Sequence, residues 1–541
     1  MPLLPALRSA ILLFIFSIFF IGQASAAPVA DETEFKQLLN GFTQKSFAAK
    51  ANTAQQVATS GHPKAKQVLE AMAESRLYFR KSDQLVVFAD KDGRSYVLTD
   101  IFSNETLGTF SRREVSKVKT NNSLRAKLGK MVAEIELKHP DASVRLAAVE
   151  AMIPKLKEDD ADLFGSLIKE EQDESVKKAL QFGIYIGYLD SSKKERVLNA
   201  IEALDGELEP IVRNKLTSLA NNSDDKDIKK AAKKSLKGIE SKISIFSNLE
   251  TIYFGISLGS ILILAAIGLA ITFGVMGVIN MAHGELIMLG AYTTYLIQQA
   301  MPNHTTASIF LAIPAAFCVS GMVGIAIERG VIRFLYGRPL ETLLATFGIS
   351  LILQQLVRTV ISPQNRTVET PAFMSGSIDI NPIFALTYNR LYIISFCILV
   401  FIALFFILKR TRLGLQVRAV SQNRSMAKAM GVRSDWVDAM TFGLGSGVAG
   451  IAGVALSQIT NVGPNMGQSY IIDSFMVVVF GGVGNLWGTL VAGLSLGVAN
   501  KVLEPMAGAV LAKIMVLVFI ILFIQKRPRG LFPQKGRAAE A

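Results

Sequence analysis

The stretch from Thr411 to Gly453, TRLGLQVRAVSQNRSMAKAMGVRSDWVDAMTFGLGSGVAGIAG, decides how the rest of the chain is read. Its first half is basic and polar; its second half is an apolar segment studded with glycine. Within the basic half, Asn423 suits an N-cap and Gly431 suits the position just past a helix C-terminus, which predicts a short helix between them. Met426 and Met430 stand four residues apart and share one face of that helix. A short, positively charged helix between two long hydrophobic ones belongs on the cytoplasmic side of a membrane. It is also a place where a soluble partner could push on a membrane protein.

Composition changes along the chain. Residues 28–246 are polar and mixed in charge, whereas long apolar runs dominate from Ile252 onward. The mean hydropathy of +0.37 therefore averages two different materials, and 541 residues exceed what one core organises. A net charge of +13 raises the question of nucleic acid. Much of the excess, however, lies between apolar runs and at the C-terminus, where it sets membrane orientation, so no nucleic-acid partner is expected. The two cysteines, Cys318 and Cys397, fall in apolar runs and imply neither a disulfide framework nor a metal cluster.

Residues 1–26 read as a secretory signal. Arg8 supplies the positive start, Ala10–Ile21 the apolar region and Ala24-Ser25-Ala26 the cleavage site. The apolar region is short of the roughly 20 residues that span a bilayer. Residues 27–246 then form an exported, periplasmic domain that reads as mostly helical. LVVFADKDGRSYVL (85–98) reads as a β-hairpin turning at Asp92-Gly93. A pattern recurs as Asp141-x-x-Val144-Arg145, Asp173-x-x-Val176-Lys177 and Asp225-x-x-Ile228-Lys229, with Val212-Arg213 as a degenerate copy. It resembles HEAT-type helical repeats; ordinary amphipathic helices with capping Asp residues are the alternative. His62 and His139 each precede Pro and are expected in loops.

Residues 247–541 form the membrane domain, an all-α bundle. Apolar runs fall near 252–273, 285–300, 307–327, 341–361, 391–408, 438–459, 471–503 and 509–525. The run 471–503 is interrupted by Gly481-Gly482-Val483-Gly484-Asn485, so eight or nine hydrophobic elements are expected. Basic residues alternate between the connections. Segment 328–340 carries Arg329, Arg333 and Arg338; the central loop carries Lys409, Arg410, Arg412, Arg418, Arg424, Lys428 and Arg433; the tail carries Lys526, Arg527, Arg529, Lys535 and Arg537. The intervening connections carry only Arg366 and Arg390. This asymmetry places the basic loops and the C-terminus in the cytoplasm and the start of the first span outside, in agreement with the signal peptide.

Several residues are candidates for a translocation path. Asn280, His283 and Glu285 interrupt an apolar region, and ionisable groups at membrane depth are costly unless they pair, face a cavity or reach an interface. A cytoplasmic turn with Glu285 at a helix N-terminus is the alternative. Thr342, Thr346 and Ser350 are spaced by four and share a face, with Gln354 following; the stripe suits a small neutral or zwitterionic solute, or else hydrogen bonding between helices. Gly482 and Asn485 lie in the broken run, where freed backbone groups need protein or water partners. Gly443, Gly445, Gly447, Gly450 and Gly453 read as a close-packing surface. Asp473 and Lys513 are expected near helix ends. No phosphate-binding G-x-x-x-x-G-K-[ST] loop occurs. The chain is therefore expected to be a transport subunit and not an enzyme, with no cofactor of its own and with any ATP used by separate chains.

The passages GVMGVINMAHGELIMLGAY (274–292), ERGVIRFLYGRPLETLLATFGISLILQ (328–354), TRLGLQVRAVSQNRSMAKAMGV (411–432), GGVGNLWG (481–488) and RPRGLFP (527–533) resemble the permease subunits of branched-chain amino acid and urea ABC importers. The exported domain and DSFMVVVFGGVGNLWG (473–488) look like the urea-importing branch of that family. The resemblance implies a second permease subunit, two ABC ATPase subunits, a periplasmic substrate-binding protein and a lipid environment in a bacterial inner membrane. It also places Arg418, Gln422, Asn423, Arg424, Ala427, Met430 and Gly431 against the ATPase as the coupling loop. Urea import is the first expectation, and import of branched-chain amino acids or short amides the second. A passive channel or secondary transporter, or a membrane-anchored receptor, belongs to other classes.

Overall fold

The computed structural model describes residues 32–93 and 95–533; the signal-peptide expectation lies outside them. The chain divides into two units, with the boundary between Ile239 and Glu240.

The first unit opens with helices α1 (Glu32–Leu39), α2 (Phe47–Thr59) and α3 (Ala65–Ala73). A sheet follows, built from β1 (Leu77–Arg80), β2 (Val86–Asp92), β3 (Ser95–Thr99), β4 (Thr106–Ser111) and β5 (Val115–Lys117). The expected hairpin is β2–β3, pairing Phe88 with Thr99 and Asp92 with Ser95 around Gly93, whose φ is +58°. It forms part of a larger antiparallel sheet of order β4-β3-β2-β1-β5. The side strands were not visible in the sequence because β1 and β5 have only four and three residues, too few for a period-2 pattern. Alternation along β2 sends Val87 and Ala89 to one face and Val86 and Phe88 to the other. That second face meets Phe35, Val68, Met72 and Leu128 of the flanking helices.

Helices α4 (Asn122–Glu136), α5 (Ala142–Met152), α6 (Glu158–Glu170), α7 (Glu174–Tyr188), α8 (Lys194–Ala203) and α9 (Pro210–Asn222) continue the unit, and α10 (Lys226–Met276) follows. The recurring Asp residues start helices. Asp141 accepts from Ser143 N, Asp173 from Ser175 N and Val176 N, and Asp225 from Asp227 N and Ile228 N. Val176 and Ile228 are buried as the pattern requires, whereas Val144 is half-buried. The degenerate copy buries Val212 but has no side-chain cap. Arg145 of the first copy reaches Glu171, just before the second, through two hydrogen bonds of 2.7 Å. It also donates to the His139 and Pro140 carbonyls, joining successive copies. These bonds hold the Glu171 carboxyl down at about 2. His62 and His139 lie in connections, as expected.

The second unit contains the apolar part of α10 and then α11 (His283–Ala300), α12 (Thr305–Gly330), α13 (Pro339–Val360) and α14 (Tyr388–Arg410). A small ribbon, β6 (Ser377–Asp379) with β7 (Ala385–Thr387), precedes α14. Two short helices, α15 (Arg412–Gln422) and α16 (Arg424–Ala429), lead to α17 (Ser434–Ser457), α18 (Met466–Gly481), α19 (Leu486–Ala507) and α20 (Ala509–Lys526). The run 471–503 is thus two helices, α18 and α19. Among the described residues, seven helices are long and apolar enough to cross a membrane, and α18 is a shorter apolar helix.

Helix α17 is the core of this unit, with nearly every residue buried. Its glycines let neighbours approach to backbone contact. A Cβ on Gly450 would sit 2.5 Å from the Ala316 carbonyl of α12, and one on Gly453 would sit 2.0 Å from the Ile287 carbonyl of α11. Close packing through small residues is how helices associate where lipid supplies no hydrophobic drive. The connections sort into two ends. At one end, Arg333 pairs with Asp435, and the tail returns so that Leu531 N donates to the Phe480 carbonyl and Phe532 N to the Gly481 carbonyl. At the other end, Arg366 and Val462 exchange backbone hydrogen bonds, Gln298 pairs with the Glu369 backbone, and Arg358 reaches Asn465. The first end carries the basic loops.

Candidate functional site

Two groups of residues stand out in the membrane unit. The first is the connector at the basic end. Thr411 caps α15 by accepting from Gly414 N. Asn423 caps α16 by accepting from Met426 N at 2.9 Å. Gly431 takes φ +84° and Val432 N returns to the Ala427 carbonyl, which closes α16 as the sequence implies. Ala427 packs into a small core with Val417, Val420 and Val437. A residue with one methyl seats the helix close to the bundle, leaving Met426 62% and Met430 79% exposed.

Arg424 also faces inward. It pairs with the buried carboxylate of Asp438 on α17 and lies 4.3 Å over the Tyr336 ring. Burial pushes the Tyr336 phenol up to about 12, so it stays neutral beneath the guanidinium. Arg418 donates to the Leu408 carbonyl, tying α15 to the end of α14. Of the expected coupling residues, Gln422, Asn423, Met430 and Gly431 are therefore at the surface, while Ala427 and Arg424 hold the connector to the bundle. Sequence reading missed Asp438, because nothing local marks a pair 14 residues apart.

The second group is buried. At the start of α11, Glu285 and the Met281 backbone meet Thr346, Ser350 and Gln354 of α13, while Asn280 Oδ1 accepts from Ala282 N. Ser350 Oγ and Gln354 Nε2 donate to Glu285 Oε1 at 3.0 and 2.7 Å, and Met281 N donates to Thr346 Oγ1 at 3.1 Å. His283 Nε2 lies 2.8 Å from the Ala265 carbonyl of α10; a carbonyl only accepts, so this nitrogen carries the proton. Glu285 Oε2, His283 Nδ1 and Asn280 Nδ2 have no hydrogen-bond partner among the described residues. Thr342 is buried one turn away and turns back on the Leu335 and Arg338 carbonyls. The α13 stripe and Glu285 of the α11 interruption thus form one polar seam. Glu285 stands in the first turn of α11, as the helix-N-terminus alternative expected, with its side chain buried in this seam.

Gly482 and Asn485 belong elsewhere. They form the α18–α19 turn at the basic end, where Gly482 has φ +104° and Asn485 caps α19. Asn485 Nδ2 also holds the tail through the Phe532 carbonyl. Asp473 sits mid-helix in α18 and pairs with Lys513 of α20 at 3.0 Å, so the expectation that it lies near a helix end is corrected. Among the described residues, no cluster of His, Cys, Asp or Glu could hold a metal ion.

A bundle of membrane-length helices with a buried polar seam and a capped basic connector defines a multi-pass membrane transport subunit. Residues 251–524 match the branched-chain amino acid transport system permease component family, and the chain belongs to that family. It is similar to the high-affinity branched-chain amino acid transport system permease protein BraD of Pseudomonas aeruginosa, at 30% identity over 53% of this chain and 96% of the relative. The corresponding permease LivH of Salmonella typhimurium is 29% identical over 52% and 94%. The ribose import permease RbsC of Escherichia coli is 24% identical over 50% and 84%. No solved structure matches. The chain is a transport subunit, not an enzyme.

Proposed function

We propose that the chain is one permease subunit of an ATP-driven importer in a bacterial inner membrane. The carrying observation is the connector: α16 offers two exposed methionines on a short, capped helix and is fastened to the core helix α17 through Arg424 and Asp438. Motion imposed on α16 by an ATPase is thereby passed to α17. The basic end faces the cytoplasm, where two ATPase subunits dock; the first unit is periplasmic and meets the substrate-binding protein. A second permease completes the path.

The seam between α11 and α13 is the proposed route. Within it Glu285 Oε2 has no hydrogen-bond partner among the described residues and can accept from the N–H of an amide. This favours urea, as does the resemblance of residues 473–488. Branched-chain amino acids are the second reading, supported by the names of the similar permeases. Uptake of labelled urea and labelled leucine, measured in a strain lacking this chain and in the complemented strain, separates them. Urea uptake restored by the chain alone supports the first reading; leucine uptake restored alone replaces it with the second. Loss of neither solute contradicts both.

A further inference from the structure

At the basic end of the membrane unit lies an open cleft of about 1320 Å³, one wall of which is the connector at Arg418, Gln422 and Asn423. Its walls come from α10 (Ile271, Val275), the end of α14 (Phe405, Lys409) and α15 (Val417, Arg418). The α18–α19 turn (Asn485, Trp487) and the tail (Arg529, Phe532) close the other side. The volume exceeds the roughly 300–1,000 Å³ of ordinary small-molecule pockets and is far larger than a solute such as urea or leucine needs.

Its charge is one-sided. Lys409, Arg418 and Arg529 line it, and no Asp or Glu does among the described residues. Among the described residues Arg418 is tied to the Leu408 carbonyl, and Lys409 lies 4.6 Å over the Phe405 ring. Uncompensated cations beside apolar walls from membrane helices call for a ligand with an anionic head and a hydrocarbon body. Basic pockets between membrane helices on the cytoplasmic side are where anionic lipid headgroups bind.

We propose that this cleft binds an anionic phospholipid, with its phosphate among Lys409, Arg418 and Arg529 and its acyl chains against Ile271, Val275 and Phe405. The proposal rests on the basic end lying at a membrane surface. Because Arg418 and Gln422 form one wall, an occupied cleft also props the connector that leads to α16.

Trp487 reports on the site directly. It lines the cleft, is 54% exposed, and is one of only two tryptophans. The full chain with Trp436→Phe is placed in phosphatidylcholine nanodiscs and titrated with brominated phosphatidylglycerol or brominated phosphatidylcholine, reading quenching of Trp487. The anionic lipid should bind at least about fivefold tighter, and Lys409→Gln or Arg529→Gln should each remove about fivefold of that preference. Arg410→Gln, a cation beside the cleft but outside its lining, should leave the preference intact. Equal quenching by the two lipids, or an equal loss with Arg410→Gln, overturns the proposal. Displacement of the brominated lipid by millimolar inorganic phosphate overturns the lipid assignment in favour of a free-phosphate site. No uptake or ATPase partner enters the measurement, so failure of the importer reading would not be mistaken for failure here.

Discussion

Arg424 shows how a single side chain joins connector to core. It covers a carboxylate that α17 buries at Asp438, and removing it leaves that charge without a partner. Arg424→Ala should destabilise the detergent-solubilised protein by about 3 kcal/mol in unfolding experiments, the low end for a broken buried pair because the arginine is partly exposed. Adding Asp438→Asn should recover most of the loss; no recovery would mean that the pair is not the cause. In the first unit, Glu171 carries a pH dependence of known sign. Its folded carboxyl lies well below the ordinary glutamate value because Arg145 donates to it, so its stabilisation is complete above about pH 4.5 and is lost as pH falls toward about 2. The Tm difference between wild type and Glu171→Gln should therefore shrink steadily as pH is lowered below about 4.5. A difference independent of pH would contradict the linkage. The Asp-x-x-Val-Arg spacing made Arg145 and the capping role of Asp141 legible, since caps are local. Glu171 as the arginine's partner was not legible, because it is 26 residues away across a helix–helix step.

At the scale of elements, α16 was readable from a few residues. An N-capping Asn, a Gly just past the C-terminus and two methionines four apart are all local signals. What the spacing could not tell is which face points inward; that was decided by Ala427, whose small side chain allows the close seat. The exposed face of the helix is consequently Met426 and Met430, the surface proposed to meet the ATPase. Met426→Glu with Met430→Glu should abolish co-purification with the ATPase while leaving membrane insertion unchanged. Retained co-purification would exclude this helix as the contact. The α13 stripe was visible as a spacing of four, and the interruption at 280–285 as polarity in an apolar run. Their union in one seam is a tertiary fact that neither periodicity contains. The break at 481–485 was likewise visible, but its place was not. Counting it as a turn between two helices, rather than a bend inside one, puts it at the basic end beneath the returning tail.

At the scale of the whole molecule, the contrast between a polar first part and an apolar second part was evident from composition alone, because burial in lipid demands apolar runs that a water-soluble domain does not tolerate. The five-stranded sheet was the principal addition, with β1 and β5 hidden by their shortness. The account depends most on polarity: the end that carries α16 must face the cytoplasm. The direct measurement is labelling of Ser425→Cys, in a background with Cys318→Ser and Cys397→Ser, by a membrane-impermeant maleimide. The account predicts labelling in inside-out vesicles and none in intact spheroplasts. Labelling in intact spheroplasts would place the connector outside the cell and contradict coupling to an ATPase there.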